Sequence, residues 1–464
     1  MLIEELSGSL DPWSVACRLS TLPHLLFLDS AEYHEERGRY SFVTALPSRF
    51  HQIHLSSPVE EDPFTTLQAE LAEFSIQTIE GLPPFQGGFA GLFGYGLAHA
   101  IERVPRNRFD EFRVPDLAVG LYDWVISFDH REHRCWMVST GIQERNPKQR
   151  ADAAAQRIKE IQSVLNQPSE PKLASLSGQL SSSELAPQYP LAGFPKVTSN
   201  FSRGGYLDAI RRAVEYVHAG DCFQVNIAQR LLTPLREDPL RLYQRLREEN
   251  PAPFGGYFDL GDFVLASASP ERFLKVQKGE VETRPIKGTR PRSTDPEEET
   301  RLIADLQSNP KDRAENIMIV DLLRNDLGRV CEYGSIQVPR ICEVESFRYV
   351  HHLVSEVRGK LRENQTSLDL LRASFPGGSV TGAPKVRAME IIAELEPTAR
   401  GPYCGCLGYL GFDGSMDTNI LIRTFTAGKG WLQFPVGGGI VADSIPEREY
   451  EETLDKAVGL LRAL

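Results

Sequence analysis

The chain of 464 residues has no apolar run long enough to span a bilayer. Its opening stretch, MLIEELSGSLDPW, puts Glu4 and Glu5 where a secretion signal needs a positive flank. Cysteine is scarce: the seven residues 17, 135, 222, 331, 342, 404 and 406 are odd in number and scattered, which excludes a disulfide framework and points to a reducing cytoplasm. There is no CxxC pair, and His351-His352 lack partners at ligand spacing, so nothing resembles a zinc site. A basic balance is also missing. Lys and Arg number 51 against 63 acids, a net charge of −12, which argues against nucleic acid and anionic membrane surfaces as partners. What remains, 41% hydrophobic and 25% charged residues, is the composition of a globular protein. The length suits two or three domains, or one large domain with a satellite.

Against that acidic background one stretch is basic, Thr283–Arg292 (TRPIKGTRPR), with Lys287 at its centre and Arg284, Arg290 and Arg292 around it. A dense local positive patch on an acidic chain asks for a small, specific anion. The run before it reads as a hairpin, Phe273–Gln277 and Glu280–Ile286 around Lys278-Gly279. A two-residue loop places Glu271 opposite Ile286, and a three-residue loop places it opposite Lys287. Either way a carboxyl returns beside an amine. A lysine in a basic loop is commonly a solvated surface residue. The functional reading needs it depressed from its ordinary value of about 10.4, so that a neutral amine is available as nucleophile.

Residues 1–165 read as an α+β region. Leu25–Ser30, Tyr40–Leu46 and Leu121–Asp129 are strand-like, while Phe64–Phe74 and Asp152–Leu165 have helical spacing. Gly87, Gly88, Gly91, Gly94 and Gly96 fit neither a dinucleotide fingerprint nor an apolar helix dimer, and are read as close strand packing. Residues 166–200, rich in Ser, Pro, Gln and Ala, form the expected linker or crossing loop. In the region 201–464, Phe201–Ala219 is a predicted helix and Cys222–Gln229 a strand. Pro239–Glu249 is a helix capped by Asp238 and ended by Asn250-Pro251. Asp295 heads an acid-rich helix start.

A further helix begins after Asn309-Pro310 and sets Asp312 and Glu315 three apart, on one face. The last helix begins near Pro446 and does the same with Glu449 and Glu452. Acidic helix faces are usually only solvated; the alternative is an all-oxygen Mg2+ site, which takes one or two protein carboxylates plus water and an anionic substrate. Ser374–Lys385 is a glycine-rich loop before a helix, but Ala383-Pro384 stand where a Walker loop needs Lys-Ser/Thr. Tyr403–Phe412 and Thr418–Phe425 are expected strands, and Val436–Ile440 (VGGGI) exposes backbone to close approach. Cys404-Gly405-Cys406 reads as an ordinary buried strand pair.

The segments FQVNIAQR, SPERFL, PIKGTRPR, ENIMIVDLLRNDLGRV, VHHLVSEV, GGSVTGAPKVRAMEIIAELE, RGPYCGCLGYL, MDTNILIRTF and GGGIVADSIPEREYEET occur in one order. Together they resemble the chorismate-utilising enzymes, most closely the aminodeoxychorismate synthase component I group. The match is strong over about residues 195–464 and looser before. The resemblance implies an α+β fold: a two-part α/β sandwich of large antiparallel sheets flanked by helices.

It implies Glu271 as general acid/base at the C4 hydroxyl of chorismate and Lys287 as nucleophile at C2, giving a covalent intermediate. Ammonia then adds at C4 to give 4-amino-4-deoxychorismate, for 4-aminobenzoate and folate. Glu315 and Glu452 match the Mg2+ ligands, with Glu449 and Asp312 helping through water. Gln224, Thr289, His352, Ser379, Tyr403, Arg423, Gly437, Gly438, Gly439 and Lys456 match the substrate pocket; Ser379 stands where the family often has Thr. Leu28, Ser30, Arg39, Tyr40 and Pro253 align with a pocket that holds tryptophan in relatives. Anthranilate synthases resemble the chain but read PIAGT at Lys287, and isochorismate and salicylate synthases carry Lys at Gln224. The Cys404 segment fails the Gly-x-Cys-x-Gly elbow of a glutaminase, so a separate glutamine amidotransferase subunit is the expected partner. The competing readings are anthranilate synthase component I and a non-catalytic amino-acid-binding regulatory subunit.

Overall fold

The computed structural model describes residues 1–6, 10–34, 37–55, 62–74, 76–167, 176–347 and 350–464. Two large antiparallel sheets dominate it. One has thirteen strands, running from Leu2–Leu6 through Arg134–Ser139, Trp124–Asp129, Tyr40–Thr44, Leu26–Asp29, Gly255–Asp259 and Phe263–Ser267. It continues through Thr424–Gly428, Trp431–Ile440 and Gln224–Pro234 to Phe194–Ser199 and Tyr189–Leu191, with the short strand Gly382–Ala383 also paired to Gln224–Pro234. The other has ten strands, including Arg272–Gln277, Glu280–Thr283, Ile286–Pro291, Val350–Lys360, Met416–Asn419, Cys406–Gly411 and Gly88–Phe93. Leu26, Phe42, Phe258 and Leu265 of the first sheet form one core with Ala90, Leu92, Leu407 and Tyr409 of the second. That is face-to-face sheet packing, driven by burial of the two apolar inner faces. Helices cover the outer faces. Pro147–Leu165, Pro239–Glu249 and Pro446–Ala463 bury Ile161, Leu246 and Leu460 against the first sheet, and Pro310–Gly328 buries Ile319 and Leu323 against the second. The expected α+β sandwich is the architecture present.

Strands from residues 1–165 and from 201–464 enter both sheets. Two expected strands are in fact broken. Leu121–Asp129 divides at Asp123 into Leu117–Tyr122 in one sheet and Trp124–Asp129 in the other. Thr418–Phe425 divides likewise: Met416–Asn419 ends in the ten-stranded sheet, and Thr424–Gly428 starts in its partner. The crossing between them is apolar like a strand, which is why periodicity alone joined them. The expected linker is only partly a loop. Tyr189–Leu191 and Phe194–Ser199 extend the thirteen-stranded sheet, although Pro168–Ser175 of that stretch lies outside the described residues.

Caps follow the sequence closely. Asp238 accepts from Leu240 and Arg241 N–H groups, Asp295 from Glu297, and Asn309 from Lys311 and Asp312, each with Pro in the first turn. Gly88–Phe93 is a strand paired on both sides, the close packing expected of its glycines.

Candidate active site

The Lys278-Gly279 turn settles the hairpin register. Both residues have positive φ, 52° and 78°, and Gln277 pairs with Glu280 across a two-residue loop. Continuing that pairing sets Glu271 opposite Ile286, not Lys287. Ile286–Pro291 then pairs with Val350–Lys360, and the register slips by one between Lys287 and Thr289. The extra residue is Gly288 at φ +74°, where a Cβ would meet Leu306 and Asp312 side-chain atoms at 2.9 and 3.0 Å. This bulge aims Lys287 and Thr289 into one cavity of about 920 Å3.

Into that cavity the structure also brings Glu271, His352, Ser379, Tyr403, Arg423, Gly437, Gly439, Lys456, Glu315, Glu449 and Glu452. Gly438 lies alongside, with the position of its missing Cβ 3.4 Å from Glu449 Oε2 and 3.6 Å from Glu452 Oε1. Gln224 stands behind the wall. A Cβ on Gly439 would fall 2.0 Å from its Nε2, so the bare glycine backbone leaves room for the Gln224 side chain.

Ser379 sits between the acid and the amine. Its hydroxyl donates to Glu271 Oε1 at 2.8 Å, and its carbonyl accepts from Lys287 Nζ at 3.1 Å. Burial pushes the Glu271 carboxyl up to about 7, against the opposing pull of Ser379 and Lys287. Burial pushes the Lys287 ammonium down; Glu315 opposes that shift, and Lys456 adds to it. Both groups are therefore biased toward their neutral forms. His352 is held neutral, down to about 3, by burial and then by Arg423, and its Nδ1 shares a 2.9 Å hydrogen bond with Thr289 Oγ1. Arg423 lies in the sheet-to-sheet crossing at φ +50°, a strained backbone for a non-glycine residue.

The other three arginines of the basic stretch do not form the anion patch expected of them. Arg284 is bound to Glu345 and lies 3.3 Å from Glu356, Arg290 pairs with Asp312 at 3.0 Å, and Arg292 with Glu299 at 2.5 Å. Each cation is neutralised by a carboxylate from a neighbouring element; Arg290 still lines the cavity beside Lys287, but with its charge met by Asp312. Pairing with Arg290 also occupies Asp312.

On the acidic side, burial raises Glu315 and Glu449, the latter opposed by a 2.6 Å bond from the Ser444 hydroxyl. Burial raises Glu452 too, but Lys456, 2.7 Å away, together with Lys287 and Lys311, outweighs it and holds the carboxyl low. Among the described residues no three His, Cys, Asp or Glu side chains gather closely enough to enclose a metal by themselves. Carboxylates on two helices facing one cavity suit a hard ion that completes its shell with water and substrate oxygen.

Sequence reasoning missed Asn226, Arg400 and Glu396. Arg400 is fully buried, bonded to both Glu396 oxygens, and donates to the Asn226 and Val380 carbonyls at 2.7 and 3.1 Å. It thereby ties two lining residues together beneath the Tyr403 ring. The Arg400–Glu396 i, i+4 spacing was visible, but its burial was not.

The five residues aligned with the tryptophan pocket, Leu28, Ser30, Arg39, Tyr40 and Pro253, line a separate cavity of about 330 Å3. Arg39 is already paired there with Asp129 at 2.7 Å. Cys404 and Cys406 are buried, and burial pushes both thiols up, Cys404 to about 12. No helix among the described residues is long and apolar enough to cross a membrane.

Comparison with known proteins places this cavity in context. The chain is 41% identical over 458 residues, 96% of its length and 94% of the relative's, to an aminodeoxychorismate synthase component 1 of Escherichia coli. It is 44% identical over 383 residues, 82% of this chain and 78% of the other, to an anthranilate synthase component 1 of Thermus thermophilus. A crystal structure of anthranilate synthase component I from Streptococcus pneumoniae superposes with a TM-score of 0.75 at 31% identity, covering 92% of each chain. Residues 25–462 match the model of the chorismate binding enzymes, and the chain is an enzyme of that family.

Proposed function

We propose that the enzyme converts chorismate and ammonia to 4-amino-4-deoxychorismate, through a covalent bond between Lys287 and the substrate. The observation that carries this reading is the Lys287 amine inside the cavity, biased by burial toward its neutral form and joined through Ser379 to Glu271, whose carboxyl burial pushes up to about 7. The neutral Lys287 amine attacks C2, both ring double bonds shift, and the C4–O bond breaks. Hydroxide is a poor leaving group, so Glu271 gives its proton and water departs. Ammonia then attacks C4, both double bonds shift back, and the C2–Nζ bond breaks to free the amine. The surplus proton on the new nitrogen returns to Glu271.

Arg423, Lys456 and the Gly437–Gly439 backbone are the cavity's counter-charges for a dicarboxylate. Thr289, His352 and Tyr403 supply neutral polar wall, and Gln224 supports the glycine backbone from behind. Glu315, Glu449 and Glu452 would hold Mg2+, which neutralises substrate carboxylate charge when bound. The buried, raised thiols of Cys404 and Cys406 are unsuited to glutamine hydrolysis, which supports a separate glutamine amidotransferase subunit as the ammonia source. The cavity of about 330 Å3 is of a size to hold tryptophan.

The similarity to anthranilate synthases favours a second reading, in which ammonia attacks C2 and anthranilate is released. The chain's Lys287 opposes it, because that product needs no amine there. A non-catalytic amino-acid-binding role has no use for the acid and amine together. Incubation with chorismate, Mg2+ and ammonium, followed by an aminodeoxychorismate lyase, separates the readings: 4-aminobenzoate supports the first, anthranilate the second, and neither product the third.

A further inference from the structure

Ser379 lies in the segment Phe375–Pro384, between the helices Ser367–Ser374 and Lys385–Leu395. Both ends of that segment meet at one ammonium. Lys385 Nζ donates to the Ser374 carbonyl at 2.5 Å and to Asp326 Oδ2 at 2.8 Å. The Ser374 carbonyl ends its helix without a partner inside it, at the pole where a cation is favoured. Arg329 takes the neighbouring Ala373 carbonyl at 3.1 Å. The Lys385 and Asp326 side chains are only 13% and 4% exposed. Burial draws the ammonium down, with Arg329 adding to that shift and Asp326 and Glu102 opposing it. Asp326 belongs to the helix Pro310–Gly328, eleven residues beyond Glu315, and Leu322 is seven beyond it. At 3.6 residues per turn the three share one face. Along that face Asp326 takes Lys385, Leu322 packs on Gly378, and Glu315 lines the reaction cavity. A Cβ on Gly378 would fall 2.3 Å from Leu322 Cδ2, so only glycine lets the segment lie this close.

The later part of the segment is held without Lys385. Gly382–Ala383 pairs with Gln224–Val225, the Thr381 carbonyl accepts from the Asn226 N–H at 2.9 Å, and the Val380 carbonyl accepts from Arg400 at 3.1 Å. What the ammonium fixes is the start, at Ser374, from which the chain runs directly to Ser379. An ion pair shut away from water gains little stability over apolar residues of the same size, because each charge gives up its hydration. Methionine and leucine would fill the same space, but neither would hold the Ser374 carbonyl. We propose that Lys385 is a positioning residue: with Asp326 it sets the register of the Ser379 segment on the Glu315 helix, so that Ser379 stands between Glu271 and Lys287, an inference that rests on the acid-and-amine reading above. Lys385 does not line the reaction cavity and acts only through Ser379.

Lys385→Met alone strands the Asp326 charge and loses stability, which a purely structural role would also produce. Combining Lys385→Met with Asp326→Leu removes both charges at once, and its denaturant midpoint is expected to stay close to the parent's. The expected kinetic result is a kcat/KM for chorismate lower by about tenfold or more at pH 6. The variant-to-parent ratio then grows by about twofold or more between pH 6 and pH 8, because Glu271 loses the Ser379 hydroxyl while the interior stays dry. In a Ser379→Ala background the same two substitutions add no further pH dependence, since the contact they would disturb is already gone. Lys385→Met with Asp326→Asn repeats the test should the leucine not be accommodated. A kcat/KM equal to the parent's, or a loss with unchanged pH dependence, assigns the pair to the fold alone and overturns the proposal. If Ser379→Ala itself leaves the pH dependence unchanged, the acid-and-amine reading falls and the positioning with it. If Ser379→Ala moves it and the stable double variant does not, the positioning alone falls.

Discussion

Replacing Ser379 by alanine removes a single hydrogen bond from Glu271 while keeping the backbone carbonyl that accepts from Lys287. The lost bond is the 2.8 Å contact from the hydroxyl to Glu271 Oε1, which favours the charged carboxylate. A hydrogen bond to a charged group is worth roughly 1.5 kcal/mol, or about one pKa unit. Glu271 therefore rises from about 7 to roughly 8. If Glu271 must be protonated to release the hydroxyl, activity declines as pH passes its pKa, and that decline moves toward alkaline pH in the variant. With values of about 7 and 8, the protonated share at pH 8 is roughly one in eleven for the parent and one in two for the variant, whereas at pH 6 both are near one. The variant-to-parent ratio of kcat/KM thus grows by about fivefold between pH 6 and pH 8, whatever the variant's absolute rate. The assay is 4-aminobenzoate formation through a coupled lyase in excess, at saturating Mg2+ and ammonia. A ratio that stays flat, or a decline shifted to acid pH, refutes Glu271 as the proton donor held through Ser379.

Lys287→Ala removes the nucleophile and is expected to cut 4-aminobenzoate formation on the order of a thousandfold or more, with residual turnover going to anthranilate, as chromatography of the products would reveal. Undiminished 4-aminobenzoate formation would contradict the covalent step. Glu315→Gln is expected to weaken Mg2+ binding by about tenfold or more in titration calorimetry with chorismate present, and an unchanged affinity would remove Glu315 from the ion's shell. Arg400→Met leaves Glu396 as an unpaired buried charge, at a cost of about 3–5 kcal/mol. Adding Glu396→Gln, which keeps an acceptor for the Ala228 N–H, is expected to recover most of that loss in chemical denaturation. Simple addition of two losses would show that the pair is not coupled.

Much of this site was legible because its parts are locally encoded. Pro-headed helices with Asp or Asn caps announced where Glu315 sits, and Lys278-Gly279 announced the hairpin that returns Glu271 toward Lys287. What stayed hidden depends on distant chain segments. The fate of Arg284, Arg290 and Arg292 is decided by Glu345, Glu356, Asp312 and Glu299, which no local pattern assigns to them. The breaks at Asp123 and after Asn419 follow from a strand changing sheets. Such a strand stays apolar throughout because both of its halves are buried. Gln224 was read as pocket wall through the family resemblance, but the bare Gly439 backbone beside it leaves room for its side chain behind that wall.

The proposed chemistry makes opposite demands on two neighbours: an acid that has kept its proton and an amine that has lost one. A direct ion pair between Glu271 and Lys287 would deliver the reverse. Ser379 prevents it by taking one contact from each, hydroxyl to carboxyl and carbonyl to amine, so the two groups share a residue without sharing a salt bridge. Burial then moves the acid up and the amine down, drawing their titrations together. For two coupled groups, the share of molecules carrying both in neutral form grows as those titrations approach one another, and it is this share that can react. Any change that wets the cavity floor therefore lowers the rate twice over, once through each group.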